Sequence, residues 1–118
     1  MIAFRYRKTI PMSDMDDRAL YSGLIRLHIL HHAVEKPVYG IWIAEELGRH
    51  GYKLSAGTLY PILHELERKG YLRSHDERNG RTARRVYEAT ALGRKALRTA
   101  RQRVQELFGE MFGLEHHS

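Results

Sequence analysis

A mainly α-helical fold carrying one small β-hairpin is predicted by three observations. Apolar residues recur at helical spacing through three consecutive segments between residues 19 and 69. Two alternating segments then flank Asn79-Gly80, and a last helical pattern runs from Thr90 to about Phe112. Helix, helix, helix, hairpin, long helix is the order of a winged helix-turn-helix with an appended helix.

From Ala19 to about Glu35 the apolar set is Leu20, Leu24, Ile25, Leu27, Ile29, Leu30 and Val34. Such a wide stripe belongs to a helix packed on more than one side. Lys36-Pro37 closes it, because proline disfavours helix at the residue before it. Tyr39 to His50 reads as a second helix, with Ile43, Ala44 and Leu47 on one face and Gly51 as a stop. Leu59, Ile62, Leu63 and Leu66 mark the third, which stops at Gly70. Ser55 or Thr58 could cap its start by accepting from an otherwise unpaired backbone N–H. Pro61 favours Thr58, since proline in the third helical position gives up no internal hydrogen bond. Tyr71–His75 and Arg85–Ala89 alternate as strands do, and Asn79-Gly80 between them is a strong two-residue hairpin signal.

A chain of 118 residues makes one domain, here with an appended helix. Lys plus Arg number 20 against 14 Asp plus Glu, a formal charge of +6 that attracts polyanions. The absence of cysteine excludes disulfides and thiolate metal sites, and fits the reducing cytoplasm. No stretch approaches the roughly 18 apolar residues of a membrane span, and the start lacks a secretory run, so no membrane association is expected. No phosphate-binding glycine loop and no usefully spaced pair of acids appears, so neither enzymatic activity nor a cofactor is expected.

Two short helices joined by a tight turn and followed by a basic hairpin form a device for reading double-stranded DNA. The second helix of the pair fits the major groove, and the hairpin, or wing, straddles the flanking backbone. Off the apolar stripe of the third helix, Ser55, Thr58, Tyr60 and His64 are candidate contacts, with Arg68 further along for the backbone. The small, uncharged start of that helix permits close approach, and its free N–H groups favour phosphate. For Tyr60 the competing role is packing against the wing. The wing offers Arg78, Asn79, Arg81, Arg84 and Arg85, with no acid from 78 to 87, and guanidinium forks suit phosphate oxygens. On the last helix Leu97, Ala100, Val104, Leu107 and Met111 step by three, four, three and four, the seam of a two-stranded helical interface. A helix projecting beyond so small a domain calls for a partner, and a second copy making a homodimer is the economical one, the alternative being that the helix folds back on its own domain. Residues 1–17 read as an arm with a helix start near Ser13, 18–90 as the DNA-binding domain, 91–113 as the dimerisation helix and 114–118 as a tail.

Two further groups invite a ligand reading. Trp42, the only tryptophan, could line an effector pocket, although a partly buried packing role on the second helix is the simpler one. His28, His31 and His32 share the first helix with Glu35 one turn on, and the spacing sets His28 beside His32, near enough to share Zn²⁺ or Ni²⁺. His116 and His117 lie in a Leu-Glu-His-His-Ser ending that resembles a cloning scar and are not counted as ligands.

Several runs resemble the PadR family of transcriptional regulators: Val38-Tyr39-Gly40, Ser55-Ala56-Gly57-Thr58-Leu59-Tyr60-Pro61, Leu66-Glu67-Arg68-Lys69-Gly70-Tyr71-Leu72, Arg84-Arg85-Val86-Tyr87 and Thr90-Ala91-Leu92-Gly93. The resemblance spans about residues 20 to 108. It implies a dimeric winged-helix repressor joined through its first and last helices, acting on an inverted-repeat operator. In some members a small aromatic or cationic effector releases the DNA. Ile41 follows Gly40 where the family often has an aromatic, which shifts the role of Trp42, and the single C-terminal helix matches the small subtype. The readings that compete with this one are a winged-helix module for an acidic protein partner and a metal-responsive regulator built on His28 and His32.

Overall fold

A computed structural model describes residues 17–114 of the chain. Its elements are α1 (Arg18–Glu35), β1 (Val38–Tyr39), α2 (Gly40–Arg49), α3 (Ala56–Arg68), β2 (Leu72–Asn79), β3 (Thr82–Ala89) and α4 (Ala91–Met111). The three strands form one antiparallel sheet in the order β1-β3-β2. This is the expected winged helix-turn-helix with an appended helix, plus one strand that sequence reading missed. β1 pairs Val38 with Tyr87 and Tyr39 with Val86, and two residues are too few to display a period of two. The arm at 1–16, the helix start near Ser13 and tail residues 115–118 lie outside the described residues.

The apolar stripes converge on one core. Ile25, Ile29, Leu30 and Ala33 of α1 meet Ile43 and Leu47 of α2, Leu59, Leu63 and Leu66 of α3, and Val38, Leu72, Tyr87 and Ala89 of the sheet. Leu63 is fully buried and Tyr87 1% exposed. Burying side chains of this size contributes about 1.5–3 kcal/mol each. The turn between α2 and α3 leaves through Gly51 at φ 90°, where Tyr52 N–H donates to the Leu47 carbonyl and closes the helix end.

Two local expectations are corrected. The cap of α3 is Ser55: its carbonyl accepts from Thr58 N–H at 3.0 Å and Leu59 N–H at 2.9 Å. Pro61 therefore stands inside the helix. The carbonyl it leaves without a backbone donor is that of Gly57, an exposed residue, where water can reach it. At the hairpin, Asn79 pairs with Thr82, and the loop is Gly80-Arg81 rather than Asn79-Gly80. Gly80 takes φ 70°, and glycine first in a two-residue loop is the type II′ signature.

The hydrogen bonds that fix the root of α4 are concentrated at its first turn. Thr90 N–H donates to the Tyr71 carbonyl at 3.1 Å. The Thr90 hydroxyl donates to the Gly70 carbonyl at 2.5 Å and accepts from Gly93 N–H at 3.0 Å. A Cβ on Gly93 would stand 2.1 Å from the Tyr71 carbonyl oxygen, so backbone meets backbone there and only glycine fits. Leu97, one turn on, is 7% exposed and joins the core. Gly93→Ala is expected to cost at least about 1–3 kcal/mol, as overpacked sites do, and Thr90→Ala about 1 kcal/mol through the lost cap. Thermal denaturation followed by circular dichroism measures both, and a Gly93→Ala protein that melts with the wild type would refute the clamp.

Candidate nucleic-acid interface

The apolar face of α3 is spent on the core, and its other face looks outward. Gly57, Pro61, His64 and Arg68, at steps of four, three and four, are all exposed. Ser55 is exposed and Thr58 half-buried, with the Ser55 hydroxyl 3.3 Å from that of Thr58. Gly57 and Pro61 were not among the sequence candidates, although the same 4-3-4 spacing places them on the stripe. A Cβ on Gly57 would meet nothing closer than the Ser55 hydroxyl at 3.7 Å, ordinary contact. The fold itself therefore does not require glycine at that exposed position.

Tyr60 is placed differently from the other candidates. Its ring lies over Gly40 at the start of α2, where an added Cβ would come within 2.9 Å of the Tyr60 hydroxyl. Its half-buried side chain also packs on the core. Its structural role includes a joint between α2 and α3.

The wing arginines fall on two faces because strand side chains alternate. Asp76 pairs with Arg85 and Arg78 with Ala83 on the face that continues Ser74 and Tyr87, where the Ser74 hydroxyl donates to Glu67 of α3. Glu77 pairs with Arg84 on the opposite face, where Tyr39 of β1 also sits. Arg85 binds Asp76 at 2.8 Å. The Arg84 guanidinium rests 5.1 Å from the centre of the Tyr39 ring, whose hydroxyl donates to Glu77. Among the described residues, no side-chain hydrogen bond or ion pair holds Arg78 or Arg81. The acid-free interval from 78 to 87 thus did not reveal that an acid across the hairpin, Asp76, engages Arg85, or that Arg84 rests on a tyrosine of β1.

A strut fixes α3 against α1. Arg26 donates through Nε and Nη2 to one oxygen of Glu65, at 3.1 and 2.6 Å. These hydrogen bonds hold the Glu65 carboxyl below its ordinary range.

Away from this face, Val104 is 44% exposed, Leu107 55%, Phe108 51% and Met111 66%; on α1 Leu20 is 65% and Leu24 46% exposed, and Leu24 lines one groove with Val104 and Phe108. Ala100 is half-buried, and Leu97 is occupied within its own chain. Phe108 and Phe112 stack with centroids 4.7 Å apart. A groove of about 720 Å³ runs between α1 and α4, walled by Leu24, Leu27, Leu97, Val104 and Phe108 with His31 and Glu35 at its edge. Trp42 is not part of it; its ring meets His32 edge-on at 5.1 Å, in the packing role.

The expected His28/His32 pair is not what the fold assembles. His28 lies against His50 at 4.9 Å and Tyr52 at 5.5 Å. Helical spacing made the two histidines neighbours, but α2 and the turn after it draw His28 away. The donor atoms that do come together, within 4.8 Å, belong to His31, His32 and Glu35. No helix of the described residues is long and apolar enough to cross a membrane.

The chain is similar to known regulators over most of its length. Residues 29–99 match the transcriptional regulator PadR-like family. The transcriptional regulator Rv3488 of Mycobacterium tuberculosis is 48% identical over 101 residues, covering 86% of this chain and 94% of that protein. A PadR family regulator from Eggerthella lenta superposes with a TM-score of 0.72 at 27% identity, covering 87% of this chain and 91% of that one. A PadR-like regulator from Bacillus cereus shares the fold at a TM-score of 0.73 and 20% identity, covering 85% and 99%.

The Arg26–Glu65 strut gives a signed expectation for acid. With its folded carboxyl depressed, Glu65 binds a proton less readily folded than unfolded. Its stabilising contribution is present above the unfolded value of about 4.3 and is lost as pH falls through the lower folded value. Melting curves from pH 7 toward pH 3 should therefore fall less steeply for Glu65→Gln than for the wild type. Identical acid limbs would show the strut to be energetically silent.

Proposed function

The chain belongs to the PadR-like family of transcriptional regulators, and on that premise we propose that it is a homodimeric, sequence-specific repressor. It acts in the cytoplasm on an inverted-repeat operator. The observation that supports this reading is the outward stripe of α3 standing beside a hairpin whose Arg78 and Arg81 are engaged by no side chain among the described residues. In this reading α3 enters the major groove, with Ser55, Thr58 and His64 toward base edges and Arg68 toward the backbone. Gly57 lets the helix start approach the duplex closely.

Arg78, Asn79 and Arg81 take phosphates, joined by Arg85 from the α3 side of the wing. Arg84, braced on Tyr39, sets the wing's angle, and Tyr60 holds α2 and α3 together. The exposed seam of Val104, Leu107 and Met111, with Ala100 and with the exposed Leu20 and Leu24 of α1, supports pairing with a second copy. An isolated helical end of that length is marginal in water, and a symmetric partner covers both copies at once. The groove between α1 and α4 has the size of a small-molecule site, so an effector lodged there would act on the dimer rather than on the reading face.

Selection of bound duplexes from a random pool tests the whole reading. It should return an inverted repeat with half-site centres about 34–36 Å apart; a pool without enrichment would sink the proposal. On the selected duplex, Arg78→Ala and Arg81→Ala should each lower the slope of log affinity against log salt by about one unit, with wild-type slopes overturning the wing assignment. Leu107→Glu with Met111→Glu should sediment as a monomer at concentrations where the wild type is a dimer. A wild-type monomer under those conditions would refute the seam.

A further inference from the structure

We infer that His31, His32 and Glu35, at the end of α1, form a binding site for a divalent transition-metal cation of the zinc class. Their donor atoms lie within 4.8 Å of one another, and His31 Nε2 is 3.6 Å from Glu35 Oε2. A tetrahedral ion with bonds of about 2.0–2.1 Å separates its donors by roughly 3.4 Å. One pair is therefore already near ligand spacing, and rotation of the exposed His31 and Glu35 side chains brings in the third.

His32 is the anchored member. Its ring is held edge-on against Trp42 at 5.1 Å, and its Nε2 lies 3.5 Å from Glu46 Oε2 on α2. Glu46 is itself fixed: Arg49 takes Oε1 through two N–H donors, leaving Oε2 to His32 and His50. A carboxylate so held orients an imidazole for metal, or enters as a fourth ligand. Two imidazoles and a carboxylate suit Zn²⁺, Co²⁺ or Ni²⁺, whereas Mg²⁺ and Ca²⁺ require all-oxygen shells. The site is separate from the face proposed for DNA, since none of its residues belongs to α3 or the wing. His31 and Glu35 also edge the groove between α1 and α4, opposite Arg101.

Trp42, the only tryptophan, touches His32 and so reports on the site directly. The full chain carrying His116→Ala and His117→Ala, stripped of metal by chelator, is titrated with Zn²⁺ and followed by calorimetry and Trp42 emission. One ion per chain is expected, with the emission change saturating at one equivalent and no response to Mg²⁺. His31→Ala and Glu35→Gln, both exposed positions, should each weaken binding roughly tenfold or more, while His28→Ala leaves it unchanged. Circular dichroism confirms that the variants fold. Absence of binding without the terminal histidines, or undiminished binding in a His31→Ala, Glu35→Gln double variant, would overturn the site.

Discussion

The contact on which the rest of the architecture depends is the four-residue clamp at the root of α4. One hydroxyl, that of Thr90, donates to the carbonyl of Gly70 and accepts from the amide of Gly93. A single side chain thus ties the end of α3 to the start of α4. Gly93 completes the clamp by having no side chain, because the Tyr71 carbonyl occupies the place where one would go. Leu97 then seals the joint with the core. The long helix and the outward helix are thus joined through one set of direct contacts.

Charge on the wing shows how antiparallel pairing revises a count of residues. Thr82 to Ala89 seen alone is a basic strand, but β2 sets Asp76 against Arg85 and Glu77 against Arg84. An exposed pair such as Arg85–Asp76 adds little stability yet holds a long side chain in place. The arginines therefore divide into a braced pair, Arg84 and Arg85, and a pair nearer the tip, Arg78 and Arg81, with no side-chain partner among the described residues. Arg84 is suited to holding the hairpin's shape, the tip pair to meeting an external anion, and Arg85 to presenting an oriented guanidinium to one from the side of α3.

Much of the fold was legible because burial imposes a period on sequence. The stripes of α1, α2 and α3 contained most of the buried helix residues, although the α1 set also took in the exposed Leu20 and Leu24 and missed Ala33, and the alternation of β2 and β3 gave the hairpin. What escaped depends on partners distant in sequence. β1 exists only because β3 lies beside it. The hairpin turn is one residue from where Asn79-Gly80 suggested, which moves every cross-strand partner by two residues, so that Asp76 faces Arg85 rather than Ala83, and the acids facing Arg84 and Arg85 could not be read. Pro61 misled because a rule about lost hydrogen bonds took no account of water reaching the freed carbonyl. The motif residues themselves prove to be mutual contacts: Gly40 with Tyr60, and Gly70 and Tyr71 with Thr90 and Gly93. At the candidate site, exposure along α3 was foreseeable from periodicity, while the role of Tyr60 and the regrouping of the histidines were set by the packing of α2.

The clamp carries a geometric corollary for the proposed dimer. At 1.5 Å per residue, the helix that begins at Ala91 is roughly 31 Å long. A pivot of about 5° at its far end displaces its root by roughly 3 Å, close to the rise of one base step in duplex DNA. Because Thr90 couples that root to the end of α3, such a tilt would change the separation of the two outward helices by a comparable amount. Duplex DNA fixes its own repeat, so this lever would convert a slight rearrangement where the subunits meet into a mismatch of pitch at the grooves.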